Sequence, residues 1–263
     1  MTKIAIAVVC RLKSTRLTYK ALRLIHGVPS IQRCLNNCLA VRQADQVALA
    51  TSTEPQDDPL QIFGSDSVAV IRGEPDNLAA RMLKAAEICG ADIILRVTGD
   101  CPAISSELLE RQIDDHLKSG ADLTLYPQEA PIGIGGDVYT VSALRRLVQL
   151  AERYGTSLEQ SEYLSFFFIH NPQEFNVRRL PDQPGFTYPS WRLTLDELAD
   201  LHMFDRLYSG LGAGNDAVGF PAIRDYLLDH PEVAAINAGV QTKWKDQDRI
   251  VAQIREACTF RRT

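Results

Sequence analysis

Strand-length apolar runs alternate with helical patterns through residue 118 of this 263-residue chain, and this alternation strongly restricts the possible folds. Apolar runs predict strands at residues 3–9, 46–51, 68–71 and 92–97. Apolar positions at helical spacing predict helices at residues 30–41, 76–89 and 105–117. Helices of this length between strands imply crossover connections and parallel pairing. We therefore predict an α/β fold with a mostly parallel central sheet flanked by helices.

The second half of the chain has a less regular pattern. Further strands are predicted at residues 122–125, 137–141, 175–180 and 191–195. Further helices are predicted at residues 142–153, 160–170, 198–208 and 220–228. The glycine-rich stretch 133–136 and the proline-rich stretch 181–189 read as loops. No repeat or linker divides the chain, so we expect a single domain, 1–263, in which residues 126–190 form an extension.

Positive charge is concentrated in the loop after the first predicted strand. Residues 11–20 contain Arg11, Lys13, Arg16 and Lys20 and no carboxylate, in a chain whose formal net charge is −5. Open α/β sheets bind ligands at the carboxyl ends of their strands. Clustered cations repel one another unless an anion lies among them, and Arg and Lys both suit phosphate. The loop therefore predicts a triphosphate site; a solvated basic turn is the alternative.

Two aspartates also end predicted strands. Asp100 follows the strand at 92–97, and Asp196 follows the strand at 191–195. Magnesium is often held by one or two carboxylates together with substrate phosphates. The pair therefore suggests a Mg²⁺ site beside the triphosphate. The alternatives are a Gly-Asp turn for Asp100 and a helix N-cap for Asp196.

Several motifs resemble those of cytidylyltransferases that activate sugar acids, most closely the spore coat polysaccharide biosynthesis type. More distant relatives charge acylneuraminate, pseudaminate and 3-deoxy-manno-octulosonate with CMP. The motif Arg11-x-x-Ser14-Thr15-Arg16-Leu17-x-x-Lys20 resembles the signature loop of this family. Segments 96–102 and 192–196 resemble two later family motifs, and the matches run in family order over roughly residues 3–240.

The resemblance implies a Rossmann-like nucleotidyltransferase fold and a Mg²⁺-dependent reaction. An oxygen of a small acidic acceptor attacks the α-phosphate of CTP and releases pyrophosphate. It also implies a homodimer formed through the extension. The expected catalytic residues are Arg11, Arg16, Lys20 and Asp100, and the expected metal ligands are Asp100 and Asp196. Nucleotide contacts are expected from Arg11, Ser14, Arg16, Lys20, Arg72, Asp76 and Arg81. Acceptor contacts are expected from Asp137, Tyr139 and Glu162.

The chain departs from the family pattern in the cationic loop, where Cys10 replaces a usual Gln or Pro, and in the acceptor region, where Glu162-Tyr163 replaces a common Glu-His. Lys13 replaces a usual glycine, and Thr18-Tyr19 replaces a usual Pro-Gly. The segment 131–139 lacks the usual Arg and first Asp, and Asp137 stands where Glu is usual. Glycine lets a backbone approach phosphate closely and adopt positive φ. These departures leave two alternatives open: an acceptor that differs from those of the family, or an enzyme with weakened activity.

Other function classes are less consistent with the sequence. A net charge of −5 without a basic run argues against nucleic-acid binding. No apolar stretch has the length of a membrane span, and we expect a cytoplasmic protein with its six cysteines reduced. A nucleotide-sugar glycosyltransferase is an alternative, but its Asp-x-Asp pair has no counterpart at residues 99–102, which carry one carboxylate. A non-catalytic nucleotide-binding homologue is another.

Overall fold

A computed structural model of the chain describes residues 1–14, 16–159, 163–241 and 248–260. Its main sheet has seven strands in the order β5-β4-β1-β6-β8-β7-β9. These strands are β1 (Ile4–Val9), β4 (Gln46–Ser52), β5 (Val68–Gly73), β6 (Ile93–Thr98), β7 (Leu123–Leu125), β8 (Asp137–Thr140) and β9 (Val177–Arg179). A small hairpin is formed by β2 (Leu24–Ile25) and β3 (Val28–Pro29).

Helices surround this sheet. They are α1 (Ser30–Leu39), α2 (Leu78–Cys89), α3 (Ser106–Ser119), α4 (Val141–Tyr154), α5 (Leu164–Ile169), α6 (Leu198–Gly210), α7 (Phe220–Asp229), α8 (Pro231–Ala235) and α9 (Asp248–Ala257). Short 3₁₀ segments occur at Lys20–Leu22 and Pro55–Phe63. The predicted α/β class with a mostly parallel sheet is confirmed, because β1 pairs in parallel with β4 and β6, and β4 with β5.

Both faces of β1 are buried, as its continuous apolar sequence predicts for a central parallel strand. Ile6 and Val8 belong to a cluster that includes Ile31 of α1. Ala5 and Ala7 face the opposite side, in a cluster that includes residues of α2 and α4. The small alanine side chains let α2 lie close to the sheet. A third cluster joins α6 and α7 to the segment before α6.

Strand β8 runs against the direction of its neighbours. It pairs antiparallel with β6 and with β7, whereas β7 and β9 pair in parallel. The amino-terminal end of an antiparallel strand lies at the carboxyl edge of its partner. The loop that precedes β8 is therefore brought to the edge of the sheet where β1 and β6 end.

The strand predicted at 191–195 is wrong. That segment is extended, but its ladder is one isolated bridge between Ile132 and Arg192. The Leu193 amide donates to the Ile132 carbonyl and the Leu195 amide donates to the Asp100 carbonyl, each at 2.8 Å. The segment therefore hydrogen-bonds to two loops rather than to a neighbouring strand.

Several helix ends follow local sequence signals. Ser105 caps α3 by accepting from the Leu108 amide at 3.1 Å, as its position before the helix predicts. Asp196 does not cap α6: Glu197 is the N-cap, in a capping box with Asp200. The helix predicted at 160–170 is present as α5, and residues 160–162 lie outside the described ranges.

The six cysteines are free and buried, in accordance with a role as small apolar side chains. Within the described ranges, the helices fall short of the length and apolar character that a bilayer crossing requires.

Candidate active site

The cationic loop and the Asp100 turn begin side by side because β1 and β6 are parallel neighbours. Val9 is in register with Thr98, and the Gly99 amide donates to the Val9 carbonyl at 2.9 Å. A Cβ on Gly99 would lie 2.8 Å from Cys10 Cβ, so the close approach of the two loops requires glycine there. The Asp100 turn also contacts the segment before α6, because the Leu195 amide donates to the Asp100 carbonyl.

Lys20 lies between the two aspartates predicted as metal ligands. Its Nζ is 2.6 Å from Asp100 Oδ2 and 2.7 Å from Asp196 Oδ1. Burial lowers the pKa of Lys20, but the two carboxylates outweigh this effect and the pKa is raised. Burial likewise opposes ionisation of Asp196, whose pKa is nevertheless lowered, chiefly by Lys20. Both groups are therefore charged at neutral pH.

Asp196 is also held from two other directions. Arg16 Nη2 lies 2.9 Å from Asp196 Oδ1, and Arg192 Nη2 lies 2.7 Å from Asp196 Oδ2. Arg192 is buried and also pairs with the buried Asp200, its Nε 2.9 Å from Oδ1. Sequence reasoning left Arg192 without a role. The structure shows that Arg192 fixes the carboxylate of Asp196 from behind.

The start of the cationic loop is anchored by a buried carboxylate, that of Asp57. Asp57 accepts from the Leu12 amide at 2.6 Å and from the Ser52 hydroxyl. Arg11 donates to the Pro75 carbonyl at 2.6 Å and lies 3.2 Å from Asp76 Oδ1. The loop is thereby joined to the turn that precedes α2.

Arg81 and Arg72, both expected near the nucleotide, have different positions. Arg81 is buried and donates to the carbonyls of Glu74 and Pro75 at 2.9 and 2.7 Å, which shapes the turn before α2. Arg72 donates to the Ser52 carbonyl and pairs with Asp58, 2.6 Å away. Arg72 does not line either of the two cavities described next, and its contact with the nucleotide stays a prediction.

Two adjoining cavities open at this edge of the sheet. The larger, about 610 Å³, is lined by Val9, Cys10, Arg11, Lys13, Ser14, Arg16, Lys20, Pro75, Asp76, Leu78, Arg81, Arg96, Glu159 and Asp196. The smaller, about 430 Å³, is lined by Arg16, Arg96, Thr98, Asp100, Cys101, Tyr126, Ile132, Gly133, Gly135, Gly136, Asp137, Tyr163, Thr194 and Asp196. Arg16, Arg96 and Asp196 line both, so the cavities meet at these three side chains.

The smaller cavity contains one of the predicted acceptor residues. Asp137 lies opposite Arg96 in the β6–β8 register, and Arg96 Nη1 is 3.2 Å from Asp137 Oδ2. Tyr139 was expected there, but it is fully buried and packs on Phe168 with ring centroids 5.2 Å apart. Among the described residues, the Tyr139 hydroxyl has one hydrogen-bond partner, Asp137 Oδ2, at 3.3 Å. Glu162 lies outside the described residues.

Glycines in the loop before β8 leave room for larger neighbours. A Cβ on Gly135 would lie 2.5 Å from Tyr126 Cβ, and one on Gly136 would lie 2.6 Å from the Arg96 carbonyl oxygen. Tyr126 thus occupies space that a side chain at position 135 would need. Arg96 opens the motif 96–102 but was given no role from the sequence, although a charged residue inside an apolar strand was a signal for one. Tyr126 was not predicted as a site residue.

Comparisons with known proteins identify relatives of this chain. The Spore coat polysaccharide biosynthesis protein SpsF of Bacillus subtilis (strain 168) is 29% identical over 224 residues, which are 82% of this chain and 90% of that protein. A cytidylyltransferase structure from Leptospira borgpetersenii serovar Hardjo-bovis superposes with a TM-score of 0.80 at 22% identity, covering 93% of this chain and 100% of that one.

The structure of CMP:2-keto-3-deoxy-manno-octonic acid synthetase complexed with CTP superposes with a TM-score of 0.61 at 20% identity, covering 80% of this chain and 99% of that one. These structural likenesses establish a shared fold. A family model described as Cytidylyltransferase matches residues 5–199, which include the cationic loop, the Asp100 turn and Asp196. The match spans most of the chain and all three parts of the charged site, so the chain belongs to the cytidylyltransferase family of nucleotidyltransferases.

Proposed function

We propose that this chain is a Mg²⁺-dependent cytidylyltransferase that acts on a sugar acid or a related small acidic acceptor. An acceptor oxygen attacks the α-phosphorus of CTP, the bond to the β-phosphate oxygen breaks, and a CMP-linked product and pyrophosphate form. The observation that carries the proposal is the pair of adjoining cavities, which meet at Arg16, Arg96 and Asp196. Two substrates bound in two such cavities have their reacting ends at one junction.

The larger cavity has the charge that a triphosphate requires. Among the described residues, six cationic side chains and three carboxylates line it. The cations Arg11, Arg16 and Lys20 match the family's signature loop. Fixed cations aimed at developing charge stabilise a transition state without reorganisation. We assign Arg16 and Lys20 to the triphosphate and the departing pyrophosphate, and Arg11, Ser14 and Asp76 to the walls of the nucleotide pocket.

The two aspartates fit a divalent cation. A single cationic atom, Lys20 Nζ, is already within 2.7 Å of oxygens from Asp100 and Asp196, so their carboxylates converge on one point. In the described part of the chain, no group of three or more His, Cys, Asp or Glu side chains is arranged to hold a metal. Phosphate oxygens are thus needed to complete the ligand set. When bound, Mg²⁺ neutralises phosphate charge and polarises the α-phosphate.

The positions of Lys20 and Arg192 suggest how the protein side of this site works. Lys20 offsets the repulsion between the two carboxylates, and Arg192 and Asp200 fix the orientation of Asp196 from the buried side. Asp100 and Asp196 would hold the metal ion, and the Lys20 ammonium would then be available to the triphosphate. Positioning and charge neutralisation thus supply the catalysis, and no covalent nucleophile is required.

We also propose, on the resemblance alone, that the enzyme is a cytoplasmic homodimer whose residues 126–190 decorate a single domain. Light scattering coupled to size-exclusion chromatography measures the mass in solution. A mass near twice 29.2 kDa is expected, and a monomer at micromolar concentration would contradict the dimer.

Two assays test the function. CTP at about a hundred times its dissociation constant should stabilise the fold by about 2.7 kcal/mol in a thermal-shift assay, more than UTP, ATP or GTP at the same concentration. Pyrophosphate release should require CTP, Mg²⁺ and a sugar acid, and EDTA should abolish it. Stabilisation by ATP but not CTP excludes cytidylyl transfer. Pyrophosphate release with neutral sugars alone excludes the acidic acceptor.

A further inference from the structure

Arg96 has an unusual place in the fold. It lies within β6, between the fully buried Leu95 and Val97, yet it faces the edge where both cavities open. Its side chain is only 16% exposed and lines the two cavities at their junction. A charged side chain in a central strand is costly unless it is paired. Its position therefore requires a compensating anion.

Asp137 is such an anion. The two residues are opposite each other in the antiparallel register, and Arg96 Nη1 lies 3.2 Å from Asp137 Oδ2. The Tyr139 hydroxyl donates to the same carboxylate oxygen at 3.3 Å. Burial also raises the pKa of Asp137, an effect that Arg96 opposes. Asp137 is thus fixed from behind by Tyr139 and in turn fixes the direction of the Arg96 guanidinium.

The chemistry of the acceptor restricts where its carboxylate lies. In the cyclic form of a 2-keto sugar acid, the anomeric hydroxyl and the carboxylate are bonded to the same carbon. If the anomeric hydroxyl attacks the α-phosphorus, the carboxylate must lie within a few ångströms of the cavity junction. Three of the described side chains line both cavities. Asp196 is anionic, Arg16 belongs to the loop assigned to the triphosphate, and Arg96 is the cation that also pairs with Asp137 in the smaller cavity.

On the basis of the proposed transfer to an acidic acceptor, we propose that Arg96 binds the acceptor carboxylate and that Asp137 is its positioning residue. The planar guanidinium suits a carboxylate, with which it forms two parallel hydrogen bonds. This arrangement would orient the anomeric hydroxyl toward the α-phosphate at Asp196. It also assigns a specificity role to a pair that lies outside the cationic loop.

Steady-state kinetics of Arg96→Gln test the assignment. The probes are a panel of 2-keto sugar acids that includes 3-deoxy-manno-octulosonate, and the methyl ester of whichever acid the wild type turns over. We expect the KM for the acid to rise at least about 10-fold, the loss typical of a charged hydrogen bond, while the KM for CTP stays within about twofold. The wild type should prefer the acid to its ester, and the variant should lose that preference.

The control is Arg178→Gln, which removes a strand arginine paired with Asp115 outside both cavities and should change neither KM. For Asp137, alanine should raise the acceptor KM and glutamate should restore it in part. An unchanged acceptor KM in Arg96→Gln overturns the inference, as does an equal loss for CTP and acceptor. A wild type that binds CTP and releases pyrophosphate with no sugar acid overturns the proposed acceptor class, and this inference with it.

Discussion

Lys20 and Asp196 are 176 positions apart in sequence, yet Lys20 Nζ lies 2.7 Å from Asp196 Oδ1. The same ammonium is 2.6 Å from Asp100 Oδ2. One residue comes from the loop after β1, one from the turn after β6 and one from the segment before α6. The charge network therefore exists only when the sheet and α6 are assembled, and it can be tested one charge at a time.

Replacement of Asp100 by Asn keeps the shape of the side chain and removes one of the proposed metal-bound charges. We expect kcat for pyrophosphate release to fall by about 10²–10³-fold, the usual loss for one preorganised electrostatic group. Circular dichroism should show an unchanged fold. Asp114→Asn is the control, since Asp114 is exposed on α3 and bonds only Gln43 in the described structure. Full Mg²⁺-dependent turnover in Asp100→Asn would mean that Asp100 is only a turn residue.

The two lysines of the loop should differ in their effect on CTP affinity. Lys20 is held between two carboxylates, whereas Lys13 is exposed at the wall of the larger cavity. Lys13→Gly should cost no more than about 1 kcal/mol, as for other exposed charges. Lys20→Ala should weaken CTP more strongly, because it also leaves the two aspartates repelling each other. Isothermal titration calorimetry at fixed salt measures the CTP affinity of both variants. Unchanged affinity in both would show that the triphosphate does not bind at this loop.

His116 should make stability depend on pH between about 6.5 and 4. The residue is buried in α3, its Nδ1 is 2.9 Å from Thr124 Oγ1, and burial lowers its pKa to about 4. The unfolded chain binds this proton more tightly than the folded chain does. The free energy of unfolding is therefore highest above pH 6.5 and decreases as the pH falls toward 4. His116→Gln should flatten this part of the Tm–pH curve. The exposed His202→Gln is the control, and an unchanged slope in His116→Gln would contradict the assignment.

Tyr19 stands where the family usually has glycine, and its φ of 53° lies in the left-handed region. That conformation costs about 1–2 kcal/mol for a residue with a Cβ. Tyr19 is 51% exposed, so its ring contributes little packing. Tyr19→Gly should therefore raise the free energy of unfolding by up to about 1 kcal/mol in urea denaturation, whereas Tyr19→Ala, which keeps the Cβ, should not. Equal stabilities of the two variants would show that the backbone there is unstrained.

Local sequence patterns were sufficient to predict the strands and helices whose apolar residues pack in the core of the sheet. The apolar run of β1 and the helical spacing of α1 and α2 depend only on nearby residues, so their bounds were predicted closely. Residues 191–195 have the same local pattern as a strand but meet two loops, which no local pattern reveals. Two further elements were not predicted. The 3₁₀ segment Pro55–Phe63 is irregular, and the strands of the β2–β3 hairpin are too short to give a pattern.

The charged site was predicted in part because its residues follow strands. Arg16, Lys20, Asp100 and Asp196 were named from that position and from motif resemblance, and the fold brings them together. Tyr139 was misjudged because its burial depends on Phe168, almost thirty positions later in the chain. No role was predicted for Arg96, because its pairing with Asp137 depends on the antiparallel register of β8.

Because β8 is antiparallel to β6, the loop before β8 reaches the site that the loops after β1 and β6 also form. The two cavities are therefore lined by mostly different stretches of the sequence. The larger cavity is lined mainly by residues before position 100, while residues 126–137 and the segment before α6 supply much of the smaller one. Under the proposed function, substitutions in the turn before β8 would change acceptor preference and leave the residues that line the larger cavity unaltered. That short stretch is therefore the place to begin when a changed acceptor preference is to be engineered.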